Sequence, residues 1–241
     1  MSGHSKWSKI KNKKGKEDQK RGQIFTKASK AITLAARQGG SVDMNFSLRL
    51  AVEKAKALNM PKDNIERAIK KGIGEGEGSK MEEIVYEGFG PDGVAIMVES
   101  LTDNRNRTVS EVKNVFSKNG GSLGSPGSVQ WQFEKKGVVR LTKEKQDIIG
   151  DWESFQLSLM DAGAEDINES EDGVEVISTV ENFKNLLEFL NKSDIDPDDS
   201  GLEWVAKEPV STTEETDEKL ERFIEKLEDC DDVQNVFTNQ A

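Results

Sequence analysis

The spacing of apolar residues divides the chain into a helical first part and a mixed second part. Apolar residues recur every three or four positions over about 18–38, from Leu48 to Leu58, and from Ile65 to Ile69. This period predicts three short helices, which together form a small bundle. The sequence GIGEGEGS at 72–79 follows, and its alternating glycines are typical of a flexible linker.

Beyond this linker the apolar period changes to two, which is typical of strands. Residues 80–134 contain a strand, a Gly-Pro-Asp-Gly turn, a second strand, a helix and a third strand at 128–134. Residues 135–207 show the order β-α-β-β-α-β, with one helix over about 144–162, which is the order of a ferredoxin-like domain. The remaining segment, 208–241, holds one helix and one strand and is too small to bury a core alone.

These elements predict a multi-domain α and α+β protein. The N-terminal domain is residues 1–79, which comprise a basic arm, a three-helix bundle and the linker. A discontinuous α+β domain takes residues 80–134 and 208–241, because its last helix and strand come from the end of the chain. A ferredoxin-like βαββαβ domain, residues 135–207, is inserted into it.

Charge is divided unequally along the chain. The whole protein has 34 Lys and Arg against 45 Asp and Glu, a formal net charge of −11. Residues 1–72 carry 18 basic and 6 acidic side chains, whereas residues 73–241 carry 16 basic and 39 acidic ones. A basic segment on an acidic protein indicates a polyanionic partner.

The basic side chains are densest in the first thirty residues, of which the first 16 are expected to be a poorly ordered arm that orders on a partner. The candidate nucleic-acid-binding residues are Lys6, Trp7, Lys9, Lys11, Lys13, Lys14, Lys16, Lys20, Arg21, Lys27 and Lys30. Lysines contact phosphates as point charges, so they favour recognition of the shape and phosphate backbone of a nucleic acid over its base sequence. For Trp7 two interpretations stay open, namely stacking on a base and packing of the arm against the bundle. The alternative for the whole set is a solvated charged surface.

The string TDNRNRT at 102–108 places two arginines at a predicted junction between a strand and a helix. Arg105 and Arg107 lie beside Thr102 and Asp103, either of which is suited to cap the helix. Such a pair is able to hold a phosphate or a carboxylate of a partner. An intramolecular brace between domains is the alternative.

Three further segments give weaker signals. The small residues at 120–127 suggest a mobile loop, which either reaches into an RNA site or only connects a helix to a strand. The acidic pair Asp231-Asp232 lies in a context that looks exposed, without apolar neighbours that would raise a pKa. The aspartates at 194–199 begin like a calcium loop but lack its glycine and its terminal glutamate, so they predict an Asp-rich turn.

Composition argues against several classes of protein. His4 and Cys230 are the only His and Cys residues, so the chain cannot build a Cys/His metal cluster. No apolar run approaches the ~20 residues of a membrane span, and the N-terminus lacks the apolar core of a secretion signal. We therefore predict a cytoplasmic protein that is not an enzyme and uses no metal or cofactor.

Several long strings resemble the YebC/PmpR family, which includes a mitochondrial translational activator of cytochrome c oxidase subunit one. The strings are GHSKW (3–7), KRGQIFTK (20–27), AARQGG (35–40), MPKDNIERAIKKG (60–72), YEGFGPDGVA (86–95), LTDNRNRT (101–108), FSKNGGSLG (116–124) and GSV (127–129). The resemblance implies three domains and no known catalytic activity. It also implies two functions, since bacterial members are commonly described as transcriptional regulators that bind DNA, and others resemble ribosome-associated factors.

We predict a nucleic-acid-binding regulator of gene expression, acting as a DNA-binding transcriptional regulator. The alternative is a translation factor that binds the ribosome or ribosomal RNA and promotes synthesis of difficult nascent sequences. A third possibility is an adaptor between proteins, whose lysines only keep it in solution. In the first two cases the acidic C-terminal domains offer a platform for a protein partner.

Overall fold

The computed structural model describes residues 18–75 and 81–240. The helices are α1 (Asp18–Ala36), α2 (Phe46–Ala57), α3 (Lys62–Gly72), α4 (Arg105–Lys118), α5 (Lys143–Ile148), α6 (Trp152–Asp161), α7 (Phe183–Lys192) and α8 (Glu214–Glu228). The strands are β1 (Glu82–Phe89), β2 (Ala95–Thr102), β3 (Ser122–Leu123), β4 (Phe133–Thr142), β5 (Ala164–Ser170), β6 (Gly173–Ser178), β7 (Asp199–Ala206) and β8 (Val233–Thr238). The protein is therefore multi-domain α+β, with a helical N-terminal part and antiparallel sheets.

Helices α1, α2 and α3 pack around a small apolar core, as their spacing predicts. The buried side chains are Ile32, Ala36, Leu48, Val52, Ala55, Met60, Ile65 and Ala68. The small residues let the helices approach closely. A Cβ on Gly72 of α3 would lie 2.5 Å from the Cβ of Ala36 and 2.5 Å from the carbonyl oxygen of Thr33, so this contact requires glycine.

Asn45 fastens α2 to the end of α1. Its side-chain oxygen accepts from the backbone N–H of Leu48 at 3.0 Å and so caps α2. Its Nδ2 donates to the carbonyl oxygens of Ala35 and Gly39, both at 2.8 Å. One buried side chain thus closes the connection between two helices.

Replacement of Asn45 by serine should lower the free energy of unfolding by about 1–2 kcal/mol, because serine retains the cap but loses both bonds from Nδ2. Ser47→Ala, at an exposed position two residues away, is the control and should change stability by less than about 0.5 kcal/mol. Urea unfolding of the full chain measures both. Equal stabilities for the two variants would show that the Nδ2 bonds contribute nothing.

The first sheet has the strand order β3-β1-β2-β8, with all pairs antiparallel. The predicted hairpin is confirmed, since β1 and β2 pair from Glu82 with Thr102 to Phe89 with Ala95. Helices α4 and α8 pack on this sheet, where the rings of Phe116 and Phe223 meet edge to face at 5.0 Å. The last helix and strand of the chain therefore complete a core begun by residues 81–130.

The second sheet has the order β5-β6-β4-β7, again antiparallel throughout. Helices α5, α6 and α7 lie on one face of it. The side chains of Gln146, Trp152 and Gln156 donate to Glu169 on that face. Phe183 of α7 packs on the same face, where a Cβ on Gly137 would meet its ring at 2.5 Å.

Two details of the predicted elements are wrong. Residues 128–134 do not form a separate strand, since Gln130–Gln132 is a 3-10 turn and β4 begins at Phe133. The backbone N–H groups of Val129 and Gln130 bind a carboxylate, described below, and are not available to a sheet. The helix predicted over 144–162 is two helices, because the chain turns at Gly150 and Asp151 starts α6 as its cap.

The described residues form two compact units. The first unit comprises residues 18–130, with the gap at 76–80, together with 211–238; the second comprises 131–210 with 239–240. The finer division into 1–79, 80–134 plus 208–241, and 135–207 stays a prediction. Within the described ranges no helix has both the length and the apolar character that crossing a membrane requires.

Candidate nucleic-acid interface

The predicted nucleic-acid-binding residues fall into two groups. Lys6, Trp7, Lys9, Lys11, Lys13, Lys14 and Lys16 lie outside the described residues. Lys20, Arg21, Lys27 and Lys30 lie on α1. Arg21 is exposed, with its guanidinium 5.7 Å from the centre of the Phe25 ring.

One edge of α1 is tied to the C-terminal end of α8. Lys27 Nζ donates to the carbonyl oxygen of Glu228 at 2.5 Å, and Lys30 Nζ donates to that of Asp231 at 2.8 Å. Gln23 joins them with a bond to Asp231 Oδ1 at 3.3 Å. Since the last carbonyls of a helix carry partial negative charge, lysines are well placed there. Two of the predicted phosphate ligands thus hold contacts within the protein.

Asp232 is the centre of this contact. Its side chain is 1% exposed, and Lys30 Nζ lies 2.6 Å from Oδ1. Around Oδ2 are Arg107 Nη2 at 2.7 Å and Nε at 3.2 Å, and the hydroxyls of Thr108 at 2.8 Å and Thr102 at 3.1 Å. We call Asp232 and these four partners the Asp232 clamp. It joins α1, the end of β2, the start of α4 and the segment before β8.

The surroundings of Asp232 keep its carboxylate ionised. Burial by itself raises the pKa of the Asp232 carboxyl, but the bonds from Lys30, Arg107 and Thr108 lower it more, to about 2. The expectation that Asp231 and Asp232 are both exposed is therefore wrong for Asp232. Residues from distant parts of the chain bury its side chain.

The residue that caps the N-terminus of α4 differs from both predicted candidates in the motif at 102–108. Asn104, and neither Thr102 nor Asp103, caps α4 by accepting from the backbone N–H of Arg107 at 3.1 Å. Thr102 instead accepts from the backbone N–H of Asn104 at 2.9 Å, so it shapes the turn before the helix.

The two arginines of the motif have different environments. Arg107 forms ion pairs with Asp232 and with Asp103, the latter at 3.0 Å, so it makes an intramolecular brace inside the first unit. Arg105 is exposed at the first residue of α4. Burial raises the pKa of the Tyr86 hydroxyl, and the positive charge of Arg105 partly offsets this rise. A partner contact remains a prediction for both, although Asp103 and Asp232 already pair with the guanidinium of Arg107.

Further cations lie on the outer surface of α2 and α3. They are Lys54, Lys56, Lys62, Arg67, Lys70 and Lys71, all exposed. Arg67, Lys70 and Lys71 are spaced by three and four residues, so they share one face of α3. Two other arginines of the bundle hold the backbone, since Arg37 donates to Met81 O at 2.7 Å and Arg49 to Asp43 O at 2.6 Å. Folding therefore sorts the bundle cations into a bracing set and a surface set.

The loop at 120–127 is anchored, which corrects the prediction that it is mobile. The carboxylate of Glu87 on β1 is buried and accepts three backbone N–H groups, from Gly127 at 2.7 Å, Val129 at 2.9 Å and Gln130 at 2.8 Å. Burial raises the pKa of Glu87, but these three bonds together lower it below its ordinary value. Nothing in the local sequence identifies Glu87, because its partners lie about forty residues away.

No metal centre is found in the part of the chain that the structure describes, where no three His, Cys, Asp or Glu residues are arranged to bind an ion. Asp198 accepts the backbone N–H of Thr142 at 2.8 Å and pairs with Lys145 at 3.2 Å, as a structural turn residue does. Cys230 is partly buried, and burial raises the pKa of its thiol to about 11. A thiol with so high a pKa is a poor nucleophile.

Comparison with known proteins identifies the family. Residues 5–75 match the family model described as the TACO1/YebC protein N-terminal domain. Residues 81–240 match the model described as the TACO1/YebC second and third domain. The chain belongs to the TACO1/YebC family. Together the two models account for the helical bundle and for both antiparallel sheets.

The relatives of this TACO1/YebC protein match it over nearly their full length. A probable transcriptional regulatory protein of Caldanaerobacter subterraneus is 47% identical over 99% of this chain and 98% of its own. One from Nitratiruptor is 48% identical over 99% of both chains. The crystal structure of a conserved hypothetical protein from Aquifex aeolicus superimposes with a TM-score of 0.83 at 39% identity, covering 95% of this chain and 94% of that one.

Proposed function

We propose that this protein is a regulator of gene expression that binds double-stranded DNA through its basic N-terminal part. The observation that carries the proposal is the division of charge, since 18 basic and 6 acidic side chains lie in residues 1–72 of a protein whose net charge is −11. Its relatives are named probable transcriptional regulatory proteins, which supports a regulatory role.

The described surface supports contacts to the phosphate backbone. Lys54, Lys56, Arg67, Lys70 and Lys71 are exposed on α2 and α3, whereas Lys27 and Lys30 are held by the end of α8. We therefore propose that the arm, Arg21 and the surface of α2 and α3 contact phosphates. Lys27 and Lys30 then set the position of α1. Arg105 is proposed as an additional phosphate contact at the start of α4.

For the acidic remainder we propose a role in binding a protein partner. We also propose that residues 135–207 form the predicted ferredoxin-like domain, inserted in the domain of 80–134 and 208–241. The strand order β5-β6-β4-β7 and the position of α5, α6 and α7 on one face support this assignment.

Replacement of Lys11, Lys13, Lys14 and Lys16 by alanine should weaken binding to duplex DNA and flatten its dependence on salt. Each lost phosphate contact removes about 0.9 from the slope of log K against log salt, so the slope should fall by about 3–4. Fluorescence anisotropy of a labelled duplex across a salt series measures this.

The matched control replaces four exposed lysines elsewhere, Lys184, Lys192, Lys219 and Lys226, and changes the net charge equally. This control should leave the slope nearly unchanged. Equal effects of the two sets would mean that net charge alone, and not the arm, governs binding.

Polysome fractionation of the wild-type protein tests the ribosome as partner. Ribosome association that survives nuclease trimming, with weak unselective DNA binding, would overturn the assignment to DNA.

A further inference from the structure

Helices α2 and α3 are joined by a turn of four residues, 58–61. Asn59 in this turn has a φ of +58°, a left-handed conformation that asparagine adopts more readily than most residues with a side chain. Backbone bonds close the turn, since the N–H of Asn59 donates to the carbonyl oxygen of Lys56 at 2.8 Å and that of Met60 to Ala55 at 2.9 Å. The path of the chain between the two helices is therefore fixed.

The two helices diverge from this turn. Leu48 and Val52 of α2 and Ile65 and Ala68 of α3 belong to the bundle core, and both helices pack along α1. Within residues 18–75, however, α2 and α3 do not pack along one another. An antiparallel pair joined by so short a turn would lie side by side. The arrangement is instead that of a helix-turn-helix, which places its second helix in the major groove of DNA.

The outward face of α3 carries charges of both signs. Glu66, Arg67 and Lys70 lie three, four and seven positions after Asp63, so the four share one side of the helix. All four are exposed and lie opposite the buried side chains of α3. Two carboxylates and two cations give this face no net charge. Carboxylates weaken a surface that only contacts phosphates, because like charges repel.

The same groups match the edges of base pairs. In the major groove an arginine donates two hydrogen bonds to guanine, and a carboxylate accepts from the amino group of cytosine. Lys62 at the first residue of α3 and Lys71 in its last turn are exposed beside the mixed face, where phosphates line a groove. Lys62 and Glu66 pair at 3.6 Å with 87% and 54% of their side chains exposed, so this pair is weak and open to exchange with DNA.

The dimensions of α3 also favour duplex DNA over duplex RNA. An α-helix with its side chains is about 10–12 Å wide, and the major groove of B-DNA is about 12 Å wide. The major groove of duplex RNA is too narrow for side chains to read. The 11 residues of α3 span about 16 Å, which is the length of about five base pairs.

We propose that α2, the turn and α3 form a helix-turn-helix, and that α3 reads base pairs in the major groove of duplex DNA. Arg67 contacts guanine and Glu66 contacts the amino group of cytosine, while Lys62 and Lys71 contact phosphates. This inference rests on the proposed function, which requires only that the protein binds duplex DNA. It adds that binding depends on base sequence, and it assigns that dependence to one helix.

The test begins with a pool of DNA duplexes of random sequence, from which the full-length protein selects over several rounds. A motif of about five base pairs that contains guanine should be enriched, because α3 covers that length. Dimethyl sulfate then reports the groove, since it methylates guanine N7 in the major groove and adenine N3 in the minor groove. The protein should protect guanine N7 within the motif.

Two substitutions on α3 separate base contacts from phosphate contacts. Arg67→Ala should lower the ratio of affinities for the selected duplex and a scrambled duplex by about 10-fold. Lys62→Ala should weaken binding to both duplexes alike and reduce the slope of log K against log salt by about 1. The control Arg222→Ala changes an exposed arginine of α8 and should alter neither quantity. Urea unfolding should find all three variants as stable as the wild-type protein, since each side chain is exposed.

Glu66→Gln should change affinity and selectivity in opposite directions. Loss of the carboxylate removes a repulsion from phosphates, so binding to the scrambled duplex should tighten. Loss of the acceptor for cytosine should at the same time lower the preference for the selected duplex. Tighter binding to both duplexes by the same factor would show that Glu66 faces phosphates and not bases.

The outcomes distinguish this inference from the proposed function. Binding of the pool without an enriched motif, or an equal loss of affinity for both duplexes in Arg67→Ala, would overturn the recognition helix and leave the proposed function standing. Protection of adenine N3 in place of guanine N7 would overturn the placement in the major groove. Failure of the wild-type protein to bind any duplex would refute the proposed function and the recognition helix together.

Discussion

Asp232→Asn is expected to lower the free energy of unfolding by about 3 kcal/mol. Asparagine has nearly the same shape, but it leaves Lys30 and Arg107 facing a neutral group. Removal of one partner from a buried ion pair typically costs about 3–5 kcal/mol. The lower end applies here, since the side chain of Arg107 is 45% exposed and water solvates part of its charge.

Asp231→Asn is the matched control, because it makes the same chemical change at the neighbouring residue. Asp231 is exposed, and its carboxylate accepts from Gln23 at 3.3 Å. Its loss should change stability by less than about 0.5 kcal/mol. Urea unfolding at neutral pH compares the two variants. If they were equally stable, the Asp232 clamp would contribute no net energy and its role would be limited to orientation.

The low pKa of Asp232 predicts how the stability of the folded protein depends on pH. The pKa of Asp232 is about 2 in the folded protein and 3.8 ordinarily, so the unfolded chain binds the proton first as pH falls. The stabilisation from Asp232 is therefore complete above about pH 4 and is lost between pH 4 and pH 2. Asp232→Asn lacks this contribution, so the difference in stability between wild-type and variant proteins should shrink over that interval.

Glu87→Gln is expected to cost about 3 kcal/mol and to release the loop at 120–130. The carboxylate accepts three backbone N–H groups. A glutamine has one acceptor oxygen, and its own NH₂ group would face at least one of these donors. Each buried N–H left without an acceptor costs about 1–3 kcal/mol. The pKa of Glu87 lies below its ordinary value, so this stabilisation too is present above about pH 4.5 and is lost as pH falls.

Hydrogen exchange locates the effect of Glu87→Gln. The amides of Gly127, Val129 and Gln130 should exchange faster, because their acceptor has gone, while the amides of α2 stay unchanged. Glu83→Gln, four positions earlier on β1 and exposed, is the control and should affect neither measurement. Unchanged exchange at Val129 and Gln130 would show that the loop is held by contacts other than this carboxylate.

Local sequence was sufficient to predict most helices and strands, but it failed where a distant side chain intervenes. The three helices of the bundle follow from apolar spacing and small residues, and the first hairpin from its turn. The predicted strand at 128–134 is wrong because Glu87 binds the N–H groups of Val129 and Gln130. The N-cap of α4 was misplaced by one or two residues, since Thr102 and Asn104 share the turn.

The sequence by itself determined the period of each element, the uneven charge and the strings that mark the family, because these are properties of neighbouring residues. Tertiary structure decided which charges remain at the surface. Asp232 and Glu87 are buried, and Lys27 and Lys30 are held by the end of α8, through contacts that join residues 40 to 202 positions apart. The energy of a charged side chain depends on what folding brings beside it, and no local pattern records that.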